Sequence, residues 1–219
     1  NVRQATAVAG FNELDVCLSW MPLTHDMGLI GMHLIMLANR VTIALMQTEL
    51  FIRRPLLWLT LATRKRATIL SSPNFGYRHY LKVLGERTPE GVDLRAVRLV
   101  FNGAEPISVE LCREFMARLA PHGLAPNAMY PVYGLAEASL AVSFPQVGSL
   151  WESVTLDRHK LGVAQTVAKV AADSRDGLAL VSVGRPISDC EVRLADDSDN
   201  AVAAGRAGHI QIRGPNVTG

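Results

Sequence analysis

Asp15-Val16-Cys17-Leu18-Ser19-Trp20-Met21-Pro22-Leu23-Thr24-His25-Asp26-Met27-Gly28-Leu29-Ile30-Gly31 opens as an apolar run, breaks at a proline and turns into a stretch of helical composition. The run 16–21 has the length and apolar content of a buried strand, and Thr24 or Asp26 can cap the helix that follows over 27–37. Outward from it the same order recurs. Strand-like runs at 41–45, 67–71, 97–101 and 128–132 alternate with helical periods at 55–65, 75–84 and 109–119. Such alternation predicts an α/β fold, a largely parallel sheet with flanking helices. Ligands then belong at the carboxyl ends of the strands, in the loops after Met21, Ser71, Phe101 and Val132.

After Pro145 the texture changes. Residues 148–177 carry no clear amphipathic period and end in Asp173-Ser174-Arg175-Asp176-Gly177, which reads as an exposed connection. Runs 191–194 and 209–213 alternate in strand fashion around a turn-rich 196–200 and a hairpin signal at 205–208, so part of a small antiparallel β unit is expected. The division predicted is an α/β unit over 1–147 and a connection with a partial β unit over 148–219.

Bulk properties narrow the function. At 49% hydrophobic and 19% charged residues the chain can bury a large core. Its 22 basic and 20 acidic side chains are spread along the sequence, and a net charge of +2 gives no field that would recruit nucleic acid or anionic lipid. Arg53-Arg54 and Arg64-Lys65-Arg66 flank an apolar stretch and read as solvated helix ends. Cys17, Cys112 and Cys190 form no CxxC pair, which argues against a disulfide framework or thiolate zinc site and suggests a reducing, cytoplasmic setting. The most apolar stretch, 32–46, is interrupted by Asn39-Arg40 and is shorter than the roughly 20 residues a membrane span needs. No signal peptide is expected, and both termini read as cut. No GxSxG, HExxH or Cys/His zinc spacing points to a hydrolase.

Four strand-end runs carry chemistry. In Tyr133-Gly134-Leu135-Ala136-Glu137, glycine admits close backbone approach to a flat ligand, the aromatic offers a stacking face, and the carboxylate can hold a hard cation beside a phosphate. A tyrosine closing a buried strand beside a helix-starting glutamate explains the pentapeptide equally simply. Phe101-Asn102-Gly103-Ala104-Glu105-Pro106 permits another close approach, with Pro106 starting a helix or Ser108 capping it. His25, at a helix start, can orient a carboxylate or merely satisfy a cap; Gly28 and Gly31 suggest close packing on that helix. Ser72-Pro73-Asn74-Phe75-Gly76-Tyr77 puts aromatics at the mouth of the sheet, suited to an apolar tail or to helix-start packing.

In this order and at these separations the four runs resemble the adenylate-forming superfamily of acyl-CoA synthetases, peptide-synthetase adenylation domains and luciferases. HDMGLIG, SPNFGY, NGAEP and YGLAEASL look most like the fatty acyl-AMP ligases, as do Thr155-Leu156-Asp157-Arg158 and Ser182-Val183-Gly184-Arg185-Pro186, while the terminal 208–217 is similar to the family's strand pair preceding its ribose-binding segment. Ala136 stands where most of the superfamily has threonine, as is typical of acyl-AMP ligases.

The resemblance implies a two-step reaction with ATP and Mg²⁺. A fatty acid carboxylate attacks the α-phosphate of ATP to give acyl-AMP and pyrophosphate, and the acyl group passes to the phosphopantetheine thiol of an acyl carrier protein, or to CoA. By carry-over, Glu137 holds Mg²⁺ and is catalytic, Tyr133 stacks on adenine, and Asn102, Gly103, Ala104 and Glu105, with Gly134 and Ala136, line the nucleotide site. His25 sits near the reacting carboxylate as the second catalytic residue, and Met27, Asn74 and Phe75 line the acyl tunnel. The superfamily's phosphate loop and its C-terminal lysine-bearing subdomain have no counterpart in the sequence, so these residues are expected to be an internal piece with little turnover of their own. An acyl-CoA synthetase piece, or a non-catalytic nucleotide-binding or scaffold module of the same fold, remains open, as do acyl chain length and oligomeric state.

Overall fold

The structure is a computed structural model that describes residues 1–218. The chain begins with α1 (Val2–Ala9), then β1 (Val16–Ser19), a π-helical segment Met27–Leu34 continuing into α2 (Ile35–Ala38), β2 (Thr42–Leu45), α3 (Thr48–Arg53) and α4 (Leu57–Lys65). It continues through β3 (Ile69–Ser72), α5 (Asn74–Leu84), β4 (Leu99–Asn102), α6 (Val109–Leu119) and β5 (Met129–Pro131). The five strands form one parallel sheet in the order β2-β1-β3-β4-β5. From β1 the chain steps outward to β2, then returns across β1 to β3, so the winding direction reverses between β1 and β3. That reversal opens a crevice at the carboxyl ends.

β1, β3 and β4 are almost wholly buried because helices cover both faces, which is why they read as continuous apolar runs. Side chains alternate across the sheet. Phe101 stacks on Phe11 (6.0 Å between centroids) and meets Phe144 edge-on, while its neighbour Asn102 faces the opposite layer and donates to Asn74 Oδ1 (3.3 Å) and Cys112 Sγ (3.4 Å). The Asn102 layer holds a second aromatic cluster, in which Trp20 stacks on Phe51 at 3.9 Å and Trp58, Tyr77 and Phe115 pack together.

One buried ion pair ties the elements at the amino edge. Asp15, 3% exposed, accepts from Arg98 at 2.8 and 2.6 Å and from Thr68 Oγ1 at 2.7 Å, joining the starts of β1, β3 and β4. Burial pushes the Asp15 carboxyl up, but the Arg98 and Thr68 bonds outweigh it and hold it below its ordinary 3.8. Arg98 also donates to the carbonyls of Ala9 and Gly10, satisfying the C-terminus of α1.

Beyond the sheet the strands are antiparallel. β6 (Tyr133–Gly134), β7 (Ala141–Phe144) and β10 (Arg185–Pro186) form a three-stranded sheet, and β8 (Ser153–Asp157) with β9 (Gly177–Val181) and β11 (Glu191–Ala195) with β12 (His209–Arg213) form two hairpin ladders. β8 lies in the stretch read as lacking a regular period, since its place is fixed by cross-strand pairing with β9 instead of by a strong local pattern. The helix predicted over 27–37 is π-helical for its first eight residues, with the Ile35 N–H bonded to Ile30 O five residues back. A Cβ on Gly28 would run into the carbonyl oxygen of Pro22, so the turn before this helix can close only on glycine. Pro106 does not start α6: the helix begins at Val109, capped by Ser108 Oγ, which accepts from Leu111 N at 3.3 Å.

Candidate active site

At the carboxyl ends of the sheet a cavity of about 450 Å³ opens between the π-helical segment, the β4 loop and β6–β7. Thr24, His25, Asp26 and Ala136 lie at its mouth, Gly103, Ala104, Tyr133 and Gly134 form a ledge, and Met27, Met32, Ile35, Phe101 and Phe144 make an apolar depth. A second cleft of about 510 Å³ lies on the far side of β6, bounded by Ala104, Glu105, Tyr133, Gly134, Leu180 and Val181. Tyr133-Gly134 and Ala104 are thus a shared wall, presented to both spaces.

The ledge is built from backbone in close approach. β6 pairs with β7 through a register shift at Tyr133/Gly134, which brings the Leu140 carbonyl where a Cβ on Gly134 would sit. Ala104 adopts φ 69°, a left-handed conformation unusual for a residue with a Cβ, and such strain gathers at binding sites.

His25 Nδ1 stands 2.6 Å from Asp26 Oδ1, and Asp26 also accepts the Met27 N–H at 2.7 Å. The Met27 N–H lies 3.2 Å from the same Nδ1, so Asp26 and the start of the π-helical segment together fix the imidazole of His25 at the cavity. Its side chain is half-exposed, consistent with a place at the mouth.

Glu137 is exposed in the short turn Ala136–Ala138, next to the mouth residue Ala136. It lies on the loop leaving the ledge, close in the chain to Val132, against which Gly103 packs, and it is not sealed in an apolar interior. The segment 214–218 holds this loop: Thr218 N donates to Glu137 O (2.7 Å), Ser139 Oγ to Asn216 O (3.0 Å), and buried Asn216 Nδ2 to Ala138 O (3.1 Å). Sequence reasoning missed Ser139 and Asn216; the turn-forming run Gly214-Pro215-Asn216 was the available signal. Among the described residues no group of three or more His, Cys, Asp or Glu side chains placed to hold a metal ion occurs.

Three expected site residues lie outside both spaces. Asn102 points to the α5–α6 layer because it alternates with Phe101, which faces the cavity. Asn74 is buried in the same layer, bonded to Pro106 O and Ser108 N, and half-exposed Phe75 packs edge-on against Trp20. Glu105 borders the second cleft, but its carboxylate accepts the Phe75 N–H at the start of α5 (3.2 Å). Conversely Phe11, Met32, Ile35, Phe101 and Phe144 line the cavity and were not singled out. Cys17 and Cys112 offer no nucleophile: burial pushes the Cys17 thiol up to about 12 and Cys112 up to about 11.

A family profile described as AMP-binding enzyme matches residues 1–219. The chain is 37% identical over 201 residues to the 4-hydroxyphenylalkanoate adenylyltransferase of Mycobacterium tuberculosis, covering 91% of this chain and 32% of that protein. It is 34% identical over 202 residues to the long-chain-fatty-acid–AMP ligase FadD26 of the same organism, covering 92% of this chain and 34% of the relative. The fatty acyl-adenylate ligase of L. pneumophila, solved with acyl adenylate and pyrophosphate, superposes with a TM-score of 0.92 at 34% identity, over 99% of this chain and 38% of that one. The chain thus spans about a third of the length of the curated relatives it matches. With the profile matching from end to end and the cleft in the crevice of a parallel sheet, the chain belongs to the AMP-binding enzyme family of adenylate-forming enzymes.

Proposed function

We propose that these residues are the acyl-holding and adenine-holding part of an enzyme that activates a fatty acid with ATP. The observation that carries the reading is a single cavity whose mouth is a glycine-and-tyrosine ledge beside His25 and whose depth is apolar and aromatic. A nucleoside and a hydrocarbon tail, joined at a reacting carboxyl, ask for such a composite. The relatives named as fatty-acid–AMP ligases supply the substrate class.

In this reading the fatty acid carboxylate attacks the α-phosphorus of ATP, the bond to the β-phosphate oxygen breaks, and acyl-AMP and pyrophosphate result. Two anions must meet for this to happen, so charge has to be offset locally. Mg²⁺ takes one or two protein carboxylates and completes its shell with waters and phosphate oxygens. The exposed Glu137 suits that donor set, and a magnesium ion bound there would neutralise phosphate charge. Tyr133 gives the base a stacking face, and the Gly103-Ala104 backbone closes on it. His25, held in place by Asp26, presents its imidazole to the reacting carboxylate and orients it. The apolar depth keeps water from the mixed anhydride.

The sulfur of an acyl carrier protein's phosphopantetheine then attacks the acyl carbon, the acyl–phosphate bond breaks, AMP leaves and the thiol proton is released, with CoA as the competing acceptor. We assign the cleft to 1–147 and a supporting β unit to 148–219, place the protein in a reducing cytoplasm on the strength of three buried free thiols, and assign the phosphate loop and the catalytic lysine to chain outside these residues. The chain alone is therefore expected to turn over slowly. The test is pyrophosphate release by the whole enzyme with ATP, Mg²⁺ and a fatty acid. Fatty-acid-dependent release that Glu137→Gln slows at least about a hundredfold supports the reading. Release indifferent to both fatty acid and Glu137 overturns it.

A further inference from the structure

We infer that the acyl site ends at the ring of Phe11, so that the enzyme takes a fatty acid of bounded length with an apolar far end. This rests on the function proposed above. Phe11 comes from the connection between α1 and β1, and it is 7% exposed. Its ring stacks on Phe101 at 6.0 Å with 29° between planes, and Phe101 meets Phe144 at 6.0 Å and 70°.

The backbone on both sides of that ring is pinned by one ion pair. Before it, Arg98 donates to Ala9 O (3.0 Å) and Gly10 O (3.1 Å); after it, the Asn12 N–H donates to Asp15 Oδ2 (3.1 Å), and Asp15 is paired with the same Arg98. A buried aromatic stacked on Phe101 and carried by a clamped backbone is a wall, since displacing it disrupts close packing. The methionines of the lining, by contrast, can repack around a ligand.

The far end also lacks polar partners. Thr24, His25 and Asp26 are at the mouth, whereas Ile35, Phe101, Phe144 and Phe11 present no side-chain donor or acceptor. Each methylene buried there strengthens binding roughly fourfold until the terminal methyl meets the ring, after which the gain stops. A terminal hydroxyl would lose its water without a replacement, a weakening of about ten- to a hundredfold. A phenol-ended acid of the kind named for the M. tuberculosis relative would be disfavoured for the same reason.

The experiment is calorimetric titration of the chain with 5′-O-(N-acylsulfamoyl)adenosines of increasing saturated chain length, plus the ω-hydroxy form of the tightest binder. Affinity is expected to climb and then break at one length, with the ω-hydroxy compound at least about tenfold weaker. Phe11→Leu should move the break to longer chains, and Phe11→Ala further. If Phe11→Ala does not give a cooperatively melting protein, Phe11→Leu decides alone. A break that stays in place in the folded variants, or affinity indifferent to chain length, overturns the Phe11 assignment while leaving the nucleotide-and-acyl cleft intact. Failure of every analogue to bind the native chain removes the proposed function itself.

Discussion

Replacing Arg98 by methionine keeps most of the side chain's bulk and removes its charge, leaving Asp15 buried at 3% exposure without a cation. Taking away one partner of a buried pair costs about 3–5 kcal/mol. Because the Arg98 side chain is 30% exposed, the lower figure, about 3 kcal/mol, is the better expectation. For a chain of 219 residues each kcal/mol moves the midpoint by about 2–4 °C, so Tm should fall by about 6–12 °C at neutral pH. The pH dependence is the sharper signature. In the native chain Asp15 titrates below its ordinary 3.8, so the stability it supplies is fully present above that value and is lost as pH falls through the lowered one. In the variant the opposing cation is gone and burial favours the protonated carboxyl, so folding becomes less favourable as pH rises. The gap between the two proteins should therefore be widest near pH 7 and narrow at about pH 4 and below. Circular-dichroism melts across that range measure it. A gap under about 2 °C at neutral pH, or one that does not narrow in acid, would refute the reasoning.

Two further outcomes follow from local geometry. Gly134→Ala places a methyl group on the Leu140 carbonyl; the β6–β7 ledge must shift, and binding of a non-hydrolysable acyl-AMP analogue should weaken at least about tenfold while the fold persists in circular dichroism. With thiols at about 12 and about 11, Cys17 and Cys112 should resist alkylation by iodoacetamide near pH 8 in the folded protein and react once unfolded, as mass spectrometry of trapped samples would record.

The sheet was legible because its strands are short apolar runs, most of them ending near proline or glycine: 16–21, 41–45 and 128–132 contain the strands observed there, while 67–71 and 97–101 each stop one residue short of theirs. Hairpin β8–β9 was not, since its half-buried strands carry little pattern and depend on partners 20 or more residues apart. The loops that build the cleft were also readable from glycines and aromatics after strand ends. What sequence could not supply was the face each side chain takes. Asn102 and Phe101 are neighbours, yet only the phenylalanine reaches the cavity, and the α5 start with Asn74 and Phe75 lies across the sheet from it. Phe11 was invisible for a different reason: its place depends on an ion pair between Asp15 and Arg98, 83 residues apart.

The most direct measurement is the affinity of the chain for a non-hydrolysable acyl-AMP analogue, compared between the native protein, Tyr133→Phe and Tyr133→Ala. If Tyr133 stacks on the base at the shared wall, phenylalanine should preserve binding and alanine should weaken it by about 1–3 kcal/mol, roughly five- to 150-fold. Equal affinity in all three proteins, each folded, would contradict the account.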